Sequence, residues 1–120
     1  MGFSVEKDKT SSGIIRRPVF FGEYGVPAKT YNIDAYHPGF KPGLEIEAGR
    51  GTKGNAVYRD IIQTCLLVDV DFLALAVLRE YKYGKTAIEF SYNATKELLG
   101  AVYSSPRLQL PMKGILLIGY

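Results

Sequence analysis

The chain has 120 residues, 47% of them hydrophobic and 22% charged. That balance fits a single globular domain spanning residues 1–120 and excludes a disordered chain or a small disulfide scaffold. Fifteen Lys and Arg against 12 Asp and Glu leave a net charge of +3, which permits a nucleic-acid partner without arguing for one.

Residues 1–13 read as a loose polar tail that tightens toward Ile14, and Val19 to Phe21 as a short strand. Gly22, Gly25 and Pro27 then mark a loop. Thr30 to Tyr36 alternates with period two. Tyr31, Ile33 and Ala35 fall on one side, and Asn32, Asp34 and Tyr36 on the other, so a strand is expected. The turn-rich run His37-Pro38-Gly39-Phe40-Lys41-Pro42-Gly43 reads as a hairpin loop. A second strand follows over Leu44 to Ala48, with Leu44, Ile46 and Ala48 on the apolar face and Glu45 and Glu47 on the polar face.

Gly49 to Gly54 is a basic, glycine-rich loop. Asn55 is a suitable N-cap for a helix running to about Val68. Val57, Tyr58, Ile61, Ile62, Cys65 and Leu66 form its apolar stripe, and Arg59, Asp60, Gln63 and Thr64 its polar side. Phe72 to Leu78 is apolar throughout, as expected of a central strand covered on both faces. Arg79 to Lys85 reads as a charged, aromatic loop. A second helix is expected over Tyr92 to Ser104, capped by Asn93, and a last apolar strand over Gly114 to Tyr120. The fold class is α/β: a mixed central β-sheet flanked by helices, in the order β-β-α-β-α-β.

The single Cys65 excludes an internal disulfide and sits on an apolar helix stripe, which suits a core residue. His37 is the only histidine. Its Pro and Gly neighbours make it a turn residue, with a metal or general-base role as the alternative. No apolar run reaches about 20 residues, so no membrane partner is expected. The first nine residues lack the apolar block of a secretory signal. A reducing, cytoplasmic setting is therefore expected.

Three carboxylates carry the chemical interest. Glu45 and Glu47, two apart on a strand, point the same way about 6–7 Å apart. If the two strands pair as a hairpin, Asp34 faces them. Clustered carboxylates repel one another, and a hard divalent cation relieves that repulsion. The plain alternative is a solvated strand face on which the glutamates have no role.

The acidic strand pair, short turn, basic loop, amphipathic helix and apolar strand together resemble the core of the PD-(D/E)xK nuclease superfamily, the restriction-endonuclease-like fold. Ile33-Asp34 is similar to the family's Pro-Asp position, and Glu45-Ile46-Glu47 to its (D/E)-x-K position. Glu47 stands where the family carries Lys, a replacement some restriction enzymes of the superfamily share. The resemblance implies a metal-dependent endonuclease that hydrolyses DNA phosphodiester bonds with Mg²⁺, Mn²⁺ substituting. It implies Asp34 and Glu45 as metal ligands, with the carbonyl of Ile46 as a further one, and Glu47 as the group that orients or activates water. Lys53 is assigned the missing positive charge, with Arg50 as its alternative. Arg50, Lys53 and Arg59 form the expected nucleic-acid contact. Families of this fold often carry an acid upstream of the Asp, and Glu23 is the candidate here. Cutting both strands calls for two active sites, which points to a homodimer. The competing readings are an inactive module of the same fold that binds DNA or a protein, and a small α/β interaction protein.

Overall fold

A computed structural model describes residues 2–10, 12–49, 51 and 54–120. In chain order its elements are β1 (Ser4–Val5), β2 (Ile15–Phe21), a 3-10 turn (Glu23–Gly25), β3 (Pro27–Ile33), β4 (Ala35–Tyr36), β5 (Pro42–Glu47), α1 (Ala56–Leu66), β6 (Phe72–Val77), β7 (Tyr81–Tyr83), β8 (Ala87–Glu89), α2 (Ser91–Ser104) and β9 (Gly114–Gly119). The main sheet has five strands in the order β1-β4-β5-β6-β9. β1, β4 and β5 pair antiparallel, whereas β5, β6 and β9 run parallel. The parallel pairs are joined through α1 and α2, as parallel connections require. The chain is thus an α/β fold with a mixed sheet and two helices.

Both helices lie on one face of that sheet. Val57 and Ile61 of α1 and Leu99 of α2 pack with Leu73, Leu75 and Val77 of β6 in a single core cluster. Alternation along β6 sends Phe72, Ala74 and Ala76 the other way. Register places Leu44 and Ile46 on one side of them and Leu116 and Ile118 on the other. No helix among the described residues covers this second face, so Ile46 remains 49% exposed and Leu116 62%. β6 is therefore not covered on both faces, despite its uniform apolarity. The physical reason is the one-sided placement of the helices.

Several local expectations change. Ser4–Val5, expected in a loose tail, pairs with β4 as an edge strand. The strand expected at Val19 begins at Ile15 and forms a separate antiparallel hairpin with β3. The strand expected over 30–36 is interrupted at Asp34. Tyr36, assigned to the polar side, is buried with Ile33, Leu67 and Val70. Its hydroxyl donates to the carbonyl of Asp69 at 3.1 Å, and Arg17 lies over its ring. Residues 79–85 are not simply a loop, because Tyr81–Tyr83 pairs with Ala87–Glu89. Helix α2 begins at Ser91, so Asn93 lies inside it rather than capping it. Asn55 does precede α1, but in a left-handed conformation (φ 59°) with no side-chain capping bond. No helix among the described residues is long and apolar enough to cross a membrane.

Candidate functional site: an acidic pocket between sheet and helix

The two glutamates of β5 lie on the helix-covered face of the sheet and are half-buried. Glu45 is level with Leu75 and Glu47 with Val77, both fully buried under α1. Paired residues on adjacent strands share a face, so Glu45 and Glu47 point toward the helix layer. Leu44 and Ile46, expected inside, point to the open face. The expected assignment of the two faces of β5 is thus reversed.

Helix α1 is rotated to match. Its buried residues are Val57, Asp60, Ile61 and Thr64. Tyr58, Ile62 and Leu66, expected in the core, are exposed. The spacing 57-60-61-64 is a regular helical face, but it carries two polar residues. Asp60 is only 3% exposed, and it is the carboxyl that α1 sets opposite the β5 glutamates.

Asp34 arrives from the break between β3 and β4. Its Oδ2 accepts a hydrogen bond from the Ile46 N–H at 2.8 Å, which fixes the carboxylate beside the Glu45-Ile46-Glu47 backbone. Gly43 helps this approach, since a Cβ there would collide with Cδ1 of Ile33, the residue before Asp34. Glu6, directly after β1, is another acid. The Glu6 N–H donates to the Asp34 carbonyl at 2.7 Å, and the Glu6 side chain pairs with Lys9 at 3.0 Å. A pocket of about 240 Å³ is lined by Glu6, Asp34, Glu45, Arg59, Asp60 and neighbours.

The electrostatics follow from crowding. Burial pushes the Glu45 carboxyl up to about 9, and Asp60, Asp34 and Glu47 add to the rise while Arg59 opposes it. Burial also raises Glu47, reinforced by the Asp60 carboxyl against it. Asp34 is raised by burial and by Glu6, with the Ile46 N–H pulling the other way. One cation bridges the inner acids. Arg59 Nη2 lies 3.3 Å from Glu47 Oε1 and 3.2 Å from Asp60 Oδ1. The remaining oxygen, Asp60 Oδ2, is buried with no hydrogen-bond partner.

Of the residues singled out in the sequence, Asp34, Glu45 and Glu47 come together, with Ile46 between the glutamates and Arg59 at their rim. Arg50 and Lys53 lie outside the described residues. Glu23 is displaced from the site. It sits in the turn joining β2 and β3, and Asp34 follows the far end of β3, roughly 20 Å of strand away. The acid beside Asp34 is instead Glu6. His37 is a turn residue. Its Nδ1 accepts from the N–H groups of Gly39 and Phe40 at 3.1 and 3.3 Å, and its ring contacts Phe3 and Phe40. It lies at the opposite end of the β4–β5 pair from Asp34.

Asp60 and Glu6 escaped the sequence reading. The signal for Asp60 was an apolar stripe too broad for one helix face, which leaves the rotation of α1 open. Glu6 has no local signal, because it depends on the pairing of β1 with β4. Compared with models of known protein families, with curated sequences and with solved structures, the chain matches none.

The residues present suit a hard divalent cation in donor type: carboxylate oxygens, a backbone carbonyl and one orphaned buried carboxylate oxygen. Among the described residues, no three acidic, His or Cys side chains surround one point at ligand distance. Side-chain adjustment is therefore part of any binding event.

Proposed function

We propose that the chain is a metal-dependent endonuclease that hydrolyses phosphodiester bonds in DNA. The observation that carries this reading is that Glu45 and Glu47, both half-buried, lie on the helix-covered face of the sheet beside Asp34 and the buried Asp60. Carboxylates on a solvated strand face need no explanation, whereas carboxylates packed against one another on the covered face of a sheet do. Asp34, Glu45 and the Ile46 carbonyl are the proposed ligands of Mg²⁺ or Mn²⁺. The bound ion supplies positive charge for the phosphate and lowers the pKa of water.

Glu47 follows Glu45 by two residues on the same face of β5 and pairs with Arg59. Its raised carboxyl is tuned toward the neutral range, where a base both holds and releases a proton. It accepts the proton of the attacking water. Arg59, with a half-exposed side chain at the rim, contacts the phosphate, and Arg50 and Lys53 are proposed as further contacts. Their charge replaces that of the Lys found in the related motif. Cleavage of both strands requires two such sites, which a homodimer supplies.

The test is cleavage of plasmid DNA by the purified chain with Mg²⁺ or Mn²⁺. Activity that EDTA removes, and that Asp34→Ala loses while keeping its circular-dichroism spectrum, is the expected result. Undiminished cleavage by Asp34→Ala refutes the assignment.

One observation favours a second reading, a module of similar architecture that binds DNA or a protein without cutting. The carboxylates are not gathered around one point. Absence of Mn²⁺ binding combined with retained DNA or protein binding selects that reading.

A further inference from the structure

We infer that α1 supplies the acidic pocket with two groups of opposite sign: Asp60 as a further cation ligand, and Arg59 as an internal counter-ion that the incoming cation displaces. The inference rests on the metal-dependent reading above and deepens it.

The first ground is Asp60. A carboxylate taken out of water is strongly destabilising unless its oxygens are satisfied. Asp60 is 3% exposed, yet only Oδ1 has donors, Arg59 Nε at 3.3 Å and Nη2 at 3.2 Å. Oδ2 is buried without a donor. The same helix face could have carried an apolar residue against Leu75. Instead it presents to Glu45 and Glu47 an acid with one oxygen that no N–H reaches, the Glu47 carboxyl lying against it. A divalent cation satisfies such an oxygen directly, at about 2.0–2.6 Å.

The second ground is the place and quality of Arg59. Its Nη2 reaches Glu47 and Asp60 together, at 3.3 and 3.2 Å. Charge-assisted bonds of good geometry are shorter, about 2.7–2.9 Å. The side chain is 59% exposed, so the guanidinium closes the cluster from the solvent side and water competes for it. Five carboxyl groups gather here (Glu6, Asp34, Glu45, Glu47 and Asp60), and among the described residues Lys9 and Arg59 are the cations that reach them. Arg59 neutralises part of that charge through weak, exposed bonds. A bound cation takes over the neutralisation and releases the guanidinium, whose planar fork suits a phosphate at the rim. Cation loading and substrate contact are thereby coupled through one side chain.

The test is titration of the full chain with Mn²⁺ alone, without DNA, following the free-ion signal by electron paramagnetic resonance. Arg59→Gln removes the competitor and should tighten Mn²⁺ binding about threefold, the scale of an exposed ion pair. Asp60→Asn should weaken binding by about tenfold or more. Wild-type affinity in both variants overturns the inference while leaving the metal-dependent reading standing. No Mn²⁺ binding by the wild type or by Arg59→Gln overturns both. Should Asp60→Asn fail to fold, Arg59→Gln decides alone: tighter binding supports the displacement, and equal or weaker binding overturns it.

Discussion

Strand β5 has two faces that exchange the usual roles. Toward the helices it turns Glu45 and Glu47, and toward the open side it turns Leu44 and Ile46. β6 next to it behaves conventionally, with Leu73, Leu75 and Val77 against the helices. Both strands run parallel in full register and share the covering helix α1. Backbone propensity and topology therefore do not account for the difference. What differs is that the end of β5 beside Asp34 meets Asp60 rather than an apolar side chain. A fold that buries acids where its neighbour buries aliphatics gives up stability at that point, and functional sites are where such conflicts concentrate.

The contrast can be broken from either side. The largest effect is expected in catalysis. Glu45→Gln should lower Mg²⁺-dependent cleavage about a thousandfold, corresponding to several kcal/mol of lost transition-state stabilisation. The same substitution replaces a carboxyl that burial keeps protonated in the folded chain by a neutral amide, and should leave the chain at least as stable at neutral pH. Cleavage assays and urea denaturation on one preparation read both numbers. Next comes the conventional strand. Leu75→Ala empties a fully buried position and should cost about 2–5 kcal/mol by urea denaturation.

The third effect is a pH dependence of stability. Glu45 titrates near 9 when folded against an ordinary value of 4.5, so between those limits the folded chain binds more protons than the unfolded one. Stability contributed by protonated Glu45 is full below about 4.5 and is lost as pH rises toward 9. Urea midpoints measured across that window, without divalent ions, should fall with rising pH, and Glu45→Gln should flatten the slope. The smallest effect belongs to the open face. Leu116→Ser, at a position 62% exposed, should change stability by about 0.5 kcal/mol or less. A loss comparable to that of Leu75→Ala would mean that this face is covered in solution.

The elements bearing the site were legible because their signals are local. Period-two alternation marks Thr30 to Tyr36 and Leu44 to Ala48, and an unbroken apolar run marks β6. Orientation was less legible. Alternation identifies two faces of β5 without saying which is covered, and the customary assumption that apolar faces turn inward assigned them the wrong way round. For α1, Val57 and Ile61 are buried in either rotation. The choice between Tyr58 and Asp60 as the next buried residue depends on what β5 presents, a contact between residues over ten positions apart. Glu6 depends on a longer-range pairing still. The charged run Arg79 to Lys85 hid β7, because Tyr81 and Tyr83 alternate with charges in a two-stranded hairpin that buries little. The three carboxylates that come together could be named from the sequence, whereas their turn toward the helix layer, which carries the functional argument, was not visible.

The central claim is that this buried acidic pocket holds a divalent cation. Anomalous scattering from crystals soaked in Mn²⁺ tests it directly. The account predicts a peak within ligand distance of Asp34 and Glu45, with Asp60 turned toward it and the Arg59 guanidinium withdrawn. Fully soaked crystals with no peak between β5 and α1, and Arg59 still bridging Glu47 and Asp60, would contradict it.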